Sequence, residues 1–163
     1  MVEAAIAAAN REDLTQPRRH WLGVLAKASL DDLEAAWNGL PAKPRYRFLR
    51  QSETGLALVR GRIGGTGQPF NLGEMTMTRA AVQLLDPGGN AAHTGFGHVA
   101  GRSKRRAELV AVFDALLQDG ERHRAVWDIV VGPLAARQQA ARAAQTARVV
   151  ESKVDFFTLV RGE

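Results

Sequence analysis

The spacing of apolar residues along this chain changes period twice. Trp21, Leu22, Leu25 and Ala28 recur at helical spacing over His20–Ala28, with Pro17 just inside the helix start. Ser29 is placed to N-cap a second helix, with Asp31 and Asp32 in its first turn, where the macrodipole favours anions. Leu30, Leu33, Ala36, Trp37 and Leu40 form its stripe, and Gly39 and Pro41 end it. The period then drops to two. Arg45–Gln51 alternates, with Tyr46 and Phe48 opposite Arg45 and Arg47. Leu56–Ile63 alternates too, with Ala57, Val59 and Ile63 opposite Arg60 and Arg62. Ser52–Gly55 between them reads as a tight turn. A third strand is expected over Phe70–Leu85, long enough to contain a bulge at Gly73. Asp86-Pro87-Gly88-Gly89-Asn90 is a turn, and a fourth strand follows over His93–Ala100.

Helical spacing returns with Leu109, Val110, Phe113, Leu116 and Leu117, and Gly120 is a natural stop. A shorter helix is expected over Arg122–Val131, and Pro133 opens a long Ala/Arg/Gln-rich helix to Val150. Past its first turn that helix has little beyond alanine to bury, so it packs closely on a neighbour or serves as an interaction arm. Strands grouped between helices, with short connections, predict an α+β fold. The expected architecture is an antiparallel sheet of about four strands (residues 45–100) flanked by an N-terminal helical pair and C-terminal helices. Residues 1–163 read as one domain, with 1–15 an alanine-rich N-terminal extension.

Composition narrows the function classes. Hydrophobic content of 45% and charged content of 24% describe a folded globule. No apolar run approaches the ~18 residues of a membrane span. The N-terminus lacks the cationic start and hydrophobic region of a secretory signal, so a cytoplasmic location is expected. The absence of cysteine excludes disulfides, iron–sulfur ligation and thiolate chemistry. The net charge of +5 is unevenly placed. Residues 41–106 carry 11 Lys and Arg against three acids (Glu53, Glu74, Asp86), a balance of +8, and the remainder carries 11 against 14, a balance of −3. A cationic middle points to phosphate groups, a nucleotide, nucleic acid or an acidic protein.

Several residues could carry that binding. Gly64-Gly65-Thr66-Gly67 could close backbone N–H groups around a phosphate, yet it lacks the Gly-Lys-Ser/Thr ending of a P-loop, and its place between two strands makes a hairpin turn the simpler account. Arg45, Arg47, Arg60 and Arg62 would line one surface if their strand faces coincide, and otherwise form a solvated outer face. Arg102, Lys104, Arg105 and Arg106 open a helix, where cations oppose the dipole unless an anion is held there or nearby acids offset them. His20, His93, His98 and His123 have no metal-pair spacing, and His20 beside Trp21 suits helix packing. Glu53 could serve as a general base or, more simply, as an ion-pair or turn residue. Met75 and Met77 suit strand packing. Nucleic acid is disfavoured, because Tyr46 and Phe48 alternate away from Arg45 and Arg47 and leave no stacking platform on the basic face.

The segment Val154-Asp155-Phe156-Phe157-Thr158-Leu159-Val160-Arg161-Gly162 is too apolar to fray and is expected to dock on its own domain or on a partner. With Arg19-His20-Trp21, Glu53-Thr54-Gly55-Leu56, Arg62-x-Gly64-Gly65-Thr66-Gly67, Thr78-Arg79-Ala80 and Gly101-Arg102-x-Lys104, it resembles the PhnG family of the bacterial carbon–phosphorus lyase system, over residues 18–162. The Asp86–Ala92 turn is where the chain looks longest against that pattern. The resemblance implies a cytoplasmic core complex with PhnH, PhnI and PhnJ, assisted by PhnL- and PhnK-type ATPase subunits. It implies a part in the step by which ATP and an alkylphosphonate give ribose 1-alkylphosphonate 5-triphosphate and adenine. A supporting role is expected, with no cofactor bound by this chain alone and ATP as substrate of the complex. Candidate phosphate ligands are Arg62, Gly64, Gly65, Thr66, Gly67, Arg79, Arg102 and Lys104. Candidate partner-docking residues are Phe156, Phe157, Leu159, Val160 and Arg161, through which an isolated chain could also self-associate.

Overall fold

The structure is a computed structural model that describes residues 15–151. Its elements in chain order are α1 (Thr15–Leu25), α2 (Leu30–Gly39), β1 (Arg45–Arg62), β2 (Pro69–Leu85), β3 (Ala91–Ala100), α3 (Lys104–Leu117), α4 (Gly120–Val126), a π-helical stretch (Trp127–Val131) and α5 (Gly132–Glu151). Local signals place most boundaries. Ser29 Oγ accepts from Asp32 N–H at 3.1 Å and caps α2, and Ser103 Oγ accepts from Arg106 N–H at 3.3 Å and caps α3. At the C-terminal end of α1, the carbonyls of Val24 and Ala26 accept from Gln138 Nε2 at 2.9 Å and Arg106 Nη2 at 2.7 Å.

The fold is α+β, with a three-stranded antiparallel meander in the order β1-β2-β3. The two segments expected on either side of a Ser52–Gly55 turn are one strand of 18 residues. Register shifts between Phe48 and Arg50 and between Arg50 and Glu53 absorb the extra residues as bulges, and β1 stays paired with β2 from Arg45 to Arg62. The expected bulge near Gly73 is present, where φ is 148° and the register shifts opposite Val59 and Arg60. Gly120 begins α4 rather than ending α3, because Asp119 Oδ1 accepts from Glu121 N–H at 3.0 Å as an N-cap. Pro133 stands in the first turn of α5, the long helix expected from it. It removes an N–H from the ladder, and the preceding stretch widens to π geometry, with Gly132 N–H donating to Trp127 C=O.

Helix α3 lies at the centre, and ten of its fourteen residues are buried. One side meets β2 and β3; the other meets α1, α2 and α4. The core contains Trp21, Leu25, Leu33, Val82, Leu84, Val99 and Phe113. Two glycines set the distance between sheet and helix. A Cβ on Gly95 would fall 2.0 Å from the Ala111 carbonyl oxygen, and one on Gly97 would fall 1.9 Å from that of Ala107. Within this packed layer Asp114 is fully buried. Arg18 Nε and Nη2 donate to its two carboxylate oxygens at 3.0 and 2.7 Å, and Trp21 Nε1 and the Phe96 N–H each donate at 2.9 Å. One carboxylate thereby joins α1, α3 and β3. The other face of the sheet carries no helix among the described residues. Residues 1–14 and the Val154–Gly162 segment, with its docking candidates, lie outside the described residues.

Gly97→Ala forces a methyl group into a backbone carbonyl and is expected to cost about 3 kcal/mol or more, as overpacking against an unyielding neighbour does. Asp114→Ala strands buried donors and is expected to cost about 3–5 kcal/mol. Gly120→Ala, with open space around its Cβ, should stay within about 0.5 kcal/mol or stabilise. Urea unfolding of the full chain measures all three.

Candidate functional site

Strand register brings distant motifs together. Glu53 lies opposite Arg79, Thr54 opposite Thr78, and Arg79 opposite His98. On the helix side of the sheet, Thr78 Oγ1 donates to the Gly101 carbonyl at 2.7 Å, which leaves the Thr54 hydroxyl as donor across the 3.0 Å contact with Thr78 Oγ1. The Gly101 N–H donates to Thr76 C=O at 2.9 Å, with φ of 93° that a side chain would strain. On the open side, Arg79 Nε and Arg50 Nη1 donate to the same Glu53 oxygen at 2.7 and 3.0 Å. The Arg79 hydrogen bond and charge, reinforced by Arg50, hold the Glu53 carboxyl below its ordinary range. In the structure Glu53 is an ion-pair residue, shared by Arg50 and Arg79.

Two adjoining shallow cavities of about 330 and 320 Å³ share Arg79 and His98. Arg50, Ala80, Ala81 and Phe96 complete the first; Glu53, Ala57 and Met77 help complete the second. Phe96 is 43% exposed, with the Arg18 guanidinium 5.7 Å from its ring centroid. Two guanidiniums against one carboxylate leave a net positive charge. Glu53 engages only one nitrogen of each, so both terminal nitrogens of Arg79 have no partner among the described residues. With the flat rings of Phe96 and His98 beside them, these groups suit an anion attached to an apolar or aromatic body.

The remaining expected site residues are dispersed. Gly64–Gly67 is the tip of the β1–β2 hairpin, with Gly64 and Gly65 at φ of 60° and 79°. Arg62 Nη1 donates to the Gly67 carbonyl at 3.0 Å and closes this tip, which includes Thr66. Arg62 stands nine positions along β1 from Glu53, the partner of Arg79, which at ~3.3 Å per residue is roughly 30 Å. Arg45 and Arg47 fall on the open face and Arg60 and Arg62 on the other, so the four do not line one surface. Arg102 and Lys104 are exposed at the start of α3. Their neighbours are engaged elsewhere: Arg105 pairs with Glu34 and Glu108, and Arg106 donates to Ala26 and Ala100 carbonyls. His20 stacks on Trp127 rather than Trp21, and His123 stacks on the same ring. A separate open groove of about 500 Å³ lies between α1 and α5, edged by Arg19, Lys27 and Arg142. The sequence reading did not single out Arg50 or Phe96; the signal for both is strand alternation, which becomes specific only once the register is known.

The chain was compared with known proteins. A family model described as "Phosphonate metabolism protein PhnG" matches residues 16–162. A relative from Rhizobium meliloti (strain 1021), "Alpha-D-ribose 1-methylphosphonate 5-triphosphate synthase subunit PhnG", is 43% identical over 146 residues, covering 90% of each chain.

The Glu53 ion pair is expected to hold until pH falls below the carboxyl's ordinary value of 4.5. Its folded-state pKa is lowered, so its contribution is present above that value and is lost as pH falls through the shifted one. Carboxyl NMR of the full chain should place the Glu53 midpoint below 4.5, and Arg79→Ala should raise it.

Proposed function

This chain belongs to the PhnG family of phosphonate-metabolism proteins, and on that premise we propose that it is a non-autonomous subunit of a ribose 1-methylphosphonate 5-triphosphate synthase. The reaction proposed for the assembled complex displaces adenine from ATP. A methylphosphonate oxygen forms the new bond at C1′ of the ribose, and adenine leaves. The partners proposed are PhnI, PhnH and PhnJ, with PhnL- and PhnK-type ATPase subunits, in the cytoplasm. No helix among the described residues is long and apolar enough to cross a membrane.

One observation carries the supporting rather than chemical role. Three of the segments that carry the resemblance, Glu53–Leu56, Thr78–Ala80 and the one that begins at Gly101, meet in one cluster, and its acid is shared by two arginines. A carboxylate shared by two guanidiniums is a weakened base, which supports an orienting and neutralising part over proton transfer. The free nitrogens of Arg79 support a part in holding a phosphonate or triphosphate at the edge of a site completed by other subunits. Arg62 and the glycine tip, far along the hairpin, support a separate structural part.

The test uses the complex purified with this chain in place, following adenine release from ATP and methylphosphonate. Arg79→Ala is expected to raise the KM for one substrate by about tenfold or more, the loss typical of a charge-assisted hydrogen bond, with subunit content unchanged. Wild-type kinetics in an intact complex would remove Arg79 from the substrate site. Deletion of residues 154–163 is expected to lower co-purification of the other subunits, and normal recovery would refute a docking role for Phe156, Phe157, Leu159, Val160 and Arg161.

A further inference from the structure

Register sets side chains out as a grid on the open face of the sheet. Glu53, Arg79 and His98 form one row across β1, β2 and β3, and Arg50, Ala81 and Phe96 form the next. The second row has its small residue in the middle. Ala81 leaves a depression between Arg50 on one outer strand and Phe96 on the other, and it lines the cavity of about 330 Å³ that all but Glu53 of these residues share. At ~4.8 Å per strand, β1 and β3 run roughly 10 Å apart, with Arg79 on the strand between them.

The two ends of the depression differ in chemistry. At the β3 end stand two rings, Phe96 and His98, two residues apart on the same face. Phe96 is held in place, because the Arg18 guanidinium over its ring is itself fixed by both carboxylate oxygens of Asp114. The His98 ring lines both cavities and makes no hydrogen bond among the described residues. Toward β1 stand Arg50 and Arg79, which share Glu53 and keep nitrogens to spare. Glu53 is the one acid that lines either cavity among the described residues, so this end retains a positive charge.

The two substrates of the proposed reaction fit this arrangement unequally. Methylphosphonate brings one oxyanion group and one methyl, and would leave both rings uncovered. ATP has a flat purine at one end, phosphates at the other and a ribose between, which matches a ring end set apart from a cation end. We propose that this face of the chain seats ATP rather than the phosphonate, with the base against Phe96 and His98 and the phosphates nearest the ribose on Arg79 and Arg50. The proposal rests on the synthase-subunit reading and names the substrate that Arg79 holds. Stacking grips the base by its π-face, and the guanidiniums pair with phosphate oxygens. Phe96 and His98 are then binding residues for the base, a part separate from that of the arginines.

Adenine release by the purified complex, with ATP and methylphosphonate varied in turn, tests the assignment. Phe96→Leu keeps apolar bulk and removes the ring. It is expected to raise the KM for ATP by about fivefold or more, the loss of one stacked base, with the methylphosphonate KM and the subunit content unchanged. His98→Ala should act in the same direction, and His98→Phe, which restores a ring without the imidazole, should recover the ATP KM. Inorganic tripolyphosphate offers phosphates without a base. It is expected to compete with ATP, and its inhibition should be weakened by Arg79→Ala and left intact by Phe96→Leu. A rise in the methylphosphonate KM instead, or wild-type KM values in both Phe96→Leu and His98→Ala, overturns the proposal and leaves the synthase reading standing. So does tripolyphosphate that fails to compete or that loses as much as ATP in the Phe96 variant, and so does a His98→Phe variant as weak as His98→Ala. Loss of other subunits from both ring variants assigns the face to a protein contact and also overturns it. A wild-type complex that releases no adenine sinks the synthase reading, and the ATP seat with it.

Discussion

Helix α3 lies so close to β3 that the Ala107 and Ala111 carbonyls occupy the space a side chain would need at Gly97 and Gly95, and most of the architecture depends on that contact. The approach is possible because small residues meet on both sides: Ala107, Ala111 and Ala115 on the helix, and glycines on the strand. A helix drawn this near to a sheet has little room for water. Its one buried acid, Asp114, must find partners inside the protein. Arg18 binds both carboxylate oxygens, while Trp21 and the Phe96 N–H supply further donors. The interaction therefore locks α1 to the same helix that the glycines lock to the sheet.

That arrangement sets the site. With α1, α2 and α3 all on one face, the other face of the sheet is left open by the described residues, and Arg50, Arg79, Phe96 and His98 stand on it. Thr54, Thr78 and Gly101 secure the same stretch from the helix side, so the strand that carries Arg79 is held on both faces. The positive charge of the middle region does not gather into one patch. Arg106 closes the end of α1, Arg105 bridges α2 and α3, Arg62 closes the hairpin tip, and Arg50 and Arg79 share Glu53. Most of these cations do structural work, while the terminal nitrogens of Arg79 beside Glu53 are left without a partner among the described residues.

Away from the core, the body thins into two projections. The β1–β2 ribbon runs past β3, and α5 is exposed throughout residues 139–149 after its first turns contact the body through Leu134 and Gln138. Neither follows the rule that a helix or sheet buries one face on its own domain. A chain that leaves a strand edge and an alanine-rich helix open to solvent is suited to a larger assembly, in keeping with membership of a family that includes a named synthase subunit.

Local chemistry was legible in the residues. The Ser29 cap, the helical stripe of Leu109–Leu117, the alternation at Arg45–Arg47, the Gly73 bulge and the family motifs all rest on contacts or patterns spanning a few positions. Tertiary structure decided whether Ser52–Gly55 turned the chain or bulged within a strand. Ser, Glu, Thr and Gly suit either geometry, and the outcome depends on β2 offering a continuous partner along the full length of β1. It decided that the turn before Pro133 would widen to π geometry, with the buried Val130, Val131 and Leu134 keeping that segment packed on the core. It also decided which arginines meet. Glu53 and Arg79 are 26 residues apart, and their pairing follows from register, which two bulges in β1 shift before it is reached. Alternation assigns each residue to a face; only the count of bulges and the identity of the neighbouring strand say what stands beside it.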